Sequence, residues 1–220
     1  MTSSERSSLY GRMTIIVGDT RMITLVRELQ ERGWGRMWID RKPTPYPNEP
    51  WGFDNGAYRD WIAGRRFDAD SFRRRLDRAL AIPDPYLAVV PDVVGRGTDS
   101  LEFSNEWVQQ LPKEWPWYLA VQDGMEVSDV EPFLGLYSGI FLGGTNEFKA
   151  TAPQWGQLAR QHRIPFHYGR AGIPKRIEHA RFSGADSLDS AAPLWDKKSW
   201  EWFTYVVDNG HPQTDLFRRL

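Results

Sequence analysis

Carboxylates recur at one kind of place in this sequence, directly after short apolar runs. Asp19, Asp40, Asp54, Asp92 and Asp189 each follow such a run, and Gln122 with Asp123 follows another. Two carboxylates brought to one point can divide a reaction at carbon between them. One attacks or takes a proton while the other supplies one. Loops also favour Asp because it caps helices, which accounts for Asp19 and Asp40. It accounts less well for Asp54 in Phe53-Asp54-Asn55-Gly56-Ala57-Tyr58, for Asp92 between apolar neighbours, and for Asp189 among small residues. Gln122, the bare backbone of Gly143 and Gly144, and the stretch from His167 to Arg170 end other runs. With no Cys and only four scattered His (His162, His167, His179, His211), no metal site is predicted. No Gly-x-Gly-x-x-Gly or phosphate-loop motif is present, so no cofactor is expected.

The runs themselves define the elements that must position these groups. Apolar stretches at 14–17, 37–39, 51–53, 86–90, 117–121, 139–142, 165–168 and 185–188 read as eight strands. Several are continuous rather than alternating, as in strands buried on both faces. Helical patterns lie between most of them. One runs from Thr20 to Glu31, one is capped by Asp70 or Ser71, and one by Thr98 or Asp99. Pro153 and Pro174 open two more, and a last helix spans about 199–207. The segment 39–51, with Pro43, Pro45, Pro47 and Pro50, reads as a stiff loop over a barrel mouth. Strand and helix in alternation predict an α/β protein, a compact irregular (β/α)8 TIM barrel. Its functional residues then lie at the C-terminal strand ends.

Composition agrees with a packed core: 220 residues, 40% hydrophobic, 26% charged, and 11 Trp, 11 Phe and 8 Tyr. Residues 1–12 read as a flexible N-terminus and 13–220 as a single domain. No apolar run approaches the length of a membrane span, and a cytoplasmic protein is expected. A net charge of −1 excludes a whole-molecule attraction to nucleic acid. The densest basic run, from Arg65 to Arg78, interleaves with Asp68, Asp70 and Asp77 and reads as a solvated helix face.

In this order the motifs resemble the tRNA-guanine transglycosylase family, which is built on an irregular (β/α)8 barrel. Asp54-Asn55-Gly56-Ala57-Tyr58 is similar to its third-strand motif, and Asp92 to its fourth-strand Asp. Val121-Gln122-Asp123-Gly124, Leu142-Gly143-Gly144-Thr145, Tyr168-Gly169-Arg170-Ala171-Gly172 and Asp186-Ser187-Leu188-Asp189 are similar to its later strand ends. The family's zinc-binding Cys residues are absent, Ala57 stands for a Gly, and Asp123 follows Gln122. A small zinc-free version resembles the phage and bacterial members that place 7-deazaguanines in DNA. The resemblance implies a pentosyltransferase that exchanges guanine in nucleic acid, DNA rather than tRNA, for a 7-deazaguanine. It also implies a host-cytoplasm setting for a phage-encoded copy. Under it Asp189 would be the nucleophile forming a covalent glycosyl intermediate, and Asp54 would move protons. Asp92 would read the base, with Gln122, Gly143 and Gly144 donating to its carbonyl. Tyr58 and Tyr168 would stack on it, and His167 and Arg170 would meet phosphate.

Two other readings stand beside it. One is a small-molecule barrel enzyme, a nucleosidase or lyase. Only Lys149 and Lys175 lie near strand ends, which argues against a Schiff-base aldolase. The other is a non-catalytic nucleic-acid-binding barrel, against which Asp54, Asp92 and Asp189 together argue.

Overall fold

A computed structural model describes residues 13–210. The segment 1–12, read as a flexible terminus, lies outside the described residues, as does His211. Eight parallel strands close on themselves in sequence order: β1 (Thr14–Gly18), β2 (Gly35–Trp38), β3 (Gly52–Phe53), β4 (Leu87–Val89), β5 (Trp117–Val121), β6 (Gly139–Leu142), β7 (Phe166–Tyr168) and β8 (Ser187–Ser190). Pairing of β1 with β8 completes the ring, so no sheet edge is left open. The helices outside it are α1 (Ile23–Arg32), α2 (Ala57–Ile62), α3 (Ala69–Ala79), α4 (Thr98–Val108), α5 (Val127–Val130), α6 (Ala152–His162), α7 (Pro174–Phe182) and α8 (Lys197–Asn209). The expected (β/α)8 barrel is therefore the fold.

Strand alternation sorts side chains into two cores. Ile16, Met37, Leu87, Val89, Tyr118 and Ala120 fill the barrel, with Phe141 packed against them. The opposite faces meet the helices. There Phe53, Phe72, Trp115 and Trp117 form edge-on and tilted ring contacts 5.4–6.5 Å apart. Burial of each such side chain contributes roughly 1.5–3 kcal/mol.

Local chemistry explains where elements begin. Asp68, rather than Asp70 or Ser71, caps α3 by accepting from the Ser71 N–H at 2.9 Å. Asp196 caps α8 through Ser199 at 2.7 Å. Pro153 and Pro174 do lie in the first turns of α6 and α7. The proline-rich stretch after β2 has no helix. It is held by a buried pair in which Arg36 meets both carboxylate oxygens of Glu49 at 2.7 and 2.8 Å. The eighth strand starts two residues later than the apolar run suggests, because Asp186 first exchanges backbone and side-chain hydrogen bonds with Phe166. That register places Asp189 inside β8, opposite Ile16. No helix among the described residues is long and apolar enough to cross a membrane.

Candidate active site

The C-terminal strand ends gather carboxylates from β3, β4 and β8. Asp54 leaves β3 with its N–H on the Trp38 carbonyl (2.9 Å), and its Oδ1 accepts from the Gly56 N–H at 2.6 Å. Gly56 is required there. Its φ is 81°, and a Cβ would lie 2.8 Å from the Arg75 guanidinium. Arg75, expected on a solvated face, is instead buried. It donates to the carbonyls of Ile39 (2.5 Å), Asp54 (3.0 Å) and Asn55 (2.6 Å), filling the place where the β2 and β3 ladders stop. Its helix neighbours Arg73, Arg74 and Arg78 are exposed as expected. Burial pushes the Asp54 carboxyl above the usual range and the Asp189 charge adds to it, against the Gly56 N–H and the cations Arg75 and Arg170.

Asp92 sits in a closed network. Asn55 Nδ2 donates to Asp92 Oδ1 (2.7 Å) and to the Val90 carbonyl (2.7 Å). Gln122 Nε2 donates to Asp92 Oδ2 (3.0 Å) and to Ser100 Oγ (2.8 Å), while its Oε1 accepts from the Gly95 N–H at 2.5 Å. Both amide hydrogens of Gln122 are thus engaged, so the expectation that it donates to a ligand carbonyl gives way to a role in holding Asp92. Burial raises the Asp92 carboxyl to about 6 and the Asp54 charge adds to that, while the Asn55 and Gln122 amides oppose it. Asp123 also turns out structural: its carboxylate accepts from the Thr145 N–H at 2.7 Å and ties the β5 and β6 loops.

Asp189 is supported from below. His167 is 0% exposed inside the barrel, stacked on Phe141 at 4.7 Å. Its Nε2 is 3.0 Å from Asp189 Oδ1 and its Nδ1 is 2.8 Å from Ser187 Oγ. An Nε2–H tautomer satisfies both contacts, donating to Asp189 and accepting from Ser187. Oδ1 also accepts the Arg170 N–H at 3.1 Å, and among the described residues no hydrogen bond reaches Oδ2. His167 is therefore not a phosphate contact at the rim, as expected from sequence, but the group that orients Asp189.

The remaining candidates divide by direction. Because His167 faces inward, Tyr168 must face outward. It packs edge-on against His179 of α7 and is 1% exposed, so it cannot stack on a ligand in the mouth. Gly143 gives its N–H to the Val121 carbonyl at 2.8 Å, which removes it as a free donor. Gly144 accepts from Arg170 Nη2 at 2.5 Å through its carbonyl. Tyr58 stands at the rim, 41% exposed, with the Arg170 guanidinium 4.3 Å above its ring. Lys149, set aside in the sequence, is 2% exposed and donates from Nζ to the Leu142 (3.0 Å) and Gly169 (2.5 Å) carbonyls, closing the ends of β6 and β7. Burial and the Arg170 charge lower it to about 7. Among the described residues no group of three or more His, Cys, Asp or Glu is arranged to hold a metal ion. A groove of about 290 Å³ between α3 and α4, lined by Phe72, Leu76 and Trp107, lies outside the barrel and away from these carboxylates.

Fold and site together define a (β/α)8 barrel with a carboxylate-bearing C-terminal mouth. No protein-family model matches the chain, and no curated protein matches it. Among solved structures it is similar to the HpcH/HpaI aldolase from Desulfitobacterium hafniense DCB-2, at 12% sequence identity and a TM-score of 0.55. The match covers 92% of this chain and 96% of that chain. At that identity the likeness shows the fold alone. It nevertheless corrects the resemblance to tRNA-guanine transglycosylases. A neighbour that spans nearly the whole chain belongs to a different family, and no sequence-family match supports the transglycosylase assignment. The expectations of a pentosyltransferase, of 7-deazaguanine exchange and of DNA modification are withdrawn with it.

Proposed function

We propose that the chain is a small-molecule lyase in which Asp54 and Asp189 form an acid–base pair across the barrel mouth. The observation that carries this reading is geometric: each carboxylate stands at a C-terminal strand end with its Oδ1 held by neighbouring groups, and burial with the Asp189 charge raises the Asp54 carboxyl. A carboxyl raised in this way is suited to the acid role. Asp189 presents Oδ2 while His167 and the Arg170 N–H occupy Oδ1. Asp54 presents Oδ2 while Gly56 occupies Oδ1.

For a β-hydroxy carbonyl substrate the steps balance as follows. Asp189 takes the hydroxyl proton, and the oxygen's electron pair forms the new carbonyl. The carbon–carbon bond breaks, its electrons pass to the enolate of the other fragment, and Asp54 returns a proton to that enolate. The two carboxyls then re-equilibrate with solvent at the open mouth. The fold shared with an aldolase supports this choice over other small-molecule chemistry. Incubation with a panel of β-hydroxy carbonyl acids, trapping released carbonyls with a hydrazine, tests it. Cleavage by the wild type that Asp54→Asn and Asp189→Asn each reduce by about 10²-fold or more is expected. Wild-type rates in both variants would overturn it.

A further inference from the structure

Arg170 stands out among the groups at the mouth. It leaves the end of β7, yet its guanidinium lies over Tyr58, in the helix that follows β3. In the closed strand order β3 and β7 face each other across the barrel, so the side chain reaches over the mouth. Its backbone is one of three non-glycine residues with positive φ among the described residues, at 55°. Arg163 is the cap of α6, and Arg170 lies in the turn two residues beyond β7, where its N–H on Asp189 and its guanidinium on Gly144 hold it in place. The group is fixed at several points. Its N–H holds Asp189 Oδ1, Nη2 holds the Gly144 carbonyl, and Tyr58 backs its plane. Tyr58 is itself stacked on Trp61, 5.8 Å between ring centroids.

For all that anchoring, the guanidinium forms no ion pair with a carboxylate among the described residues, although the Asp54 carboxyl feels its charge. Nη1 and Nε have no hydrogen-bond acceptor among them either. Arg176 adds positive charge on the β6–β7 side, where it acts with Arg170 to lower the buried Lys149. Arg170 and Arg176 thus bring positive charge to the β6–β7 side of the mouth, while Arg75 on the β3 side is committed to strand-end carbonyls. A planar, preorganised guanidinium presents donors that match the two oxygens of a carboxylate or phosphate.

We propose that Arg170 binds an oxyanion, the carboxylate or phosphate of a small acidic substrate, and so orients that substrate toward Asp54 and Asp189. This rests on the reading of the mouth as a substrate site. The anion pairs with the guanidinium edge, the face against Tyr58 stays covered, and the reactive carbons extend toward the two carboxyls.

The test is a titration of the 15N-labelled protein with inorganic phosphate and, separately, with malonate, following the Arg170 Nε–Hε resonance against a chloride control of equal ionic strength. A saturable shift with either anion is expected. Response to malonate alone identifies a carboxylate, and response to phosphate alone identifies a phosphoryl group. Arg170→Met should weaken binding, read on backbone amides of the mouth, by roughly tenfold or more, and Arg170→Lys by less. Tyr58→Leu, which removes the plate but no charge, should also weaken it. Asp54→Asn, which removes a negative charge near the guanidinium, should reduce cleavage without weakening anion binding, so loss of cleavage and loss of anion binding are separable. No saturable shift with either anion, or unchanged binding in folded Arg170→Met and Arg170→Lys, would overturn the proposal.

Discussion

The Nε2 of His167 meets Oδ1 of Asp189 at 3.0 Å from within the barrel, beneath the mouth. The imidazole is pinned between Phe141 and Ser187, so the carboxylate above it has one preferred orientation. His167→Phe keeps the ring and the stack but removes both nitrogens. Asp189 and Ser187 each lose a partner, at roughly 1–3 kcal/mol for a buried polar group left unpaired. Urea denaturation should show a loss in that range, and unchanged stability would remove His167 from the support of Asp189.

Asp92 should make stability depend on pH. Its carboxyl is raised from 3.8 to about 6 in the folded chain. Between those values the native state holds a proton that the unfolded state has released. The stabilisation is fully present below the unfolded value and is lost as pH rises through about 6. Asp92→Asn does not titrate, and it faces one of the Asn55 and Gln122 amides with a donor instead of an acceptor. Its stability deficit relative to wild type should therefore be larger at pH 4 than at pH 7. A deficit independent of pH would show that Asp92 titrates normally.

Arg75 and Lys149 should behave as structural donors to strand-end carbonyls. Arg75→Met strips three strand-end carbonyls of a donor and Lys149→Met strips two. Each should cost several times more stability than Arg74→Met, whose exposed side chain belongs to the class of substitutions that stay within about 0.5 kcal/mol. Equal midpoints for Arg74→Met and Arg75→Met in chemical denaturation would contradict this.

The barrel was legible because strands buried on both faces read as continuous apolar runs, and all eight runs overlap a strand. Strand-end carboxylates were legible for the same reason. Side-chain direction was not. Whether His167 or Tyr168 faces inward depends on the register of β7 against β6 and β8, which the sequence does not display. Arg75 was hidden by its neighbours, since a single buried arginine in a run of exposed ones keeps the run's composition. The family assignment failed for a related reason. Asp and Gly at strand ends are what any barrel mouth can use, so six short matches in order reported the fold rather than the family.

The coupling between Asp54 and Asp189 can be measured without knowing the substrate. Carbon-13 NMR of the Asp54 carboxyl across pH should give a midpoint above the usual carboxylate range, because burial and the Asp189 charge both disfavour its ionisation. In Asp189→Asn that midpoint should fall, since one of the two causes is removed. An Asp54 carboxyl that titrates in the usual range, or a midpoint indifferent to Asp189→Asn, would contradict the acid–base pair.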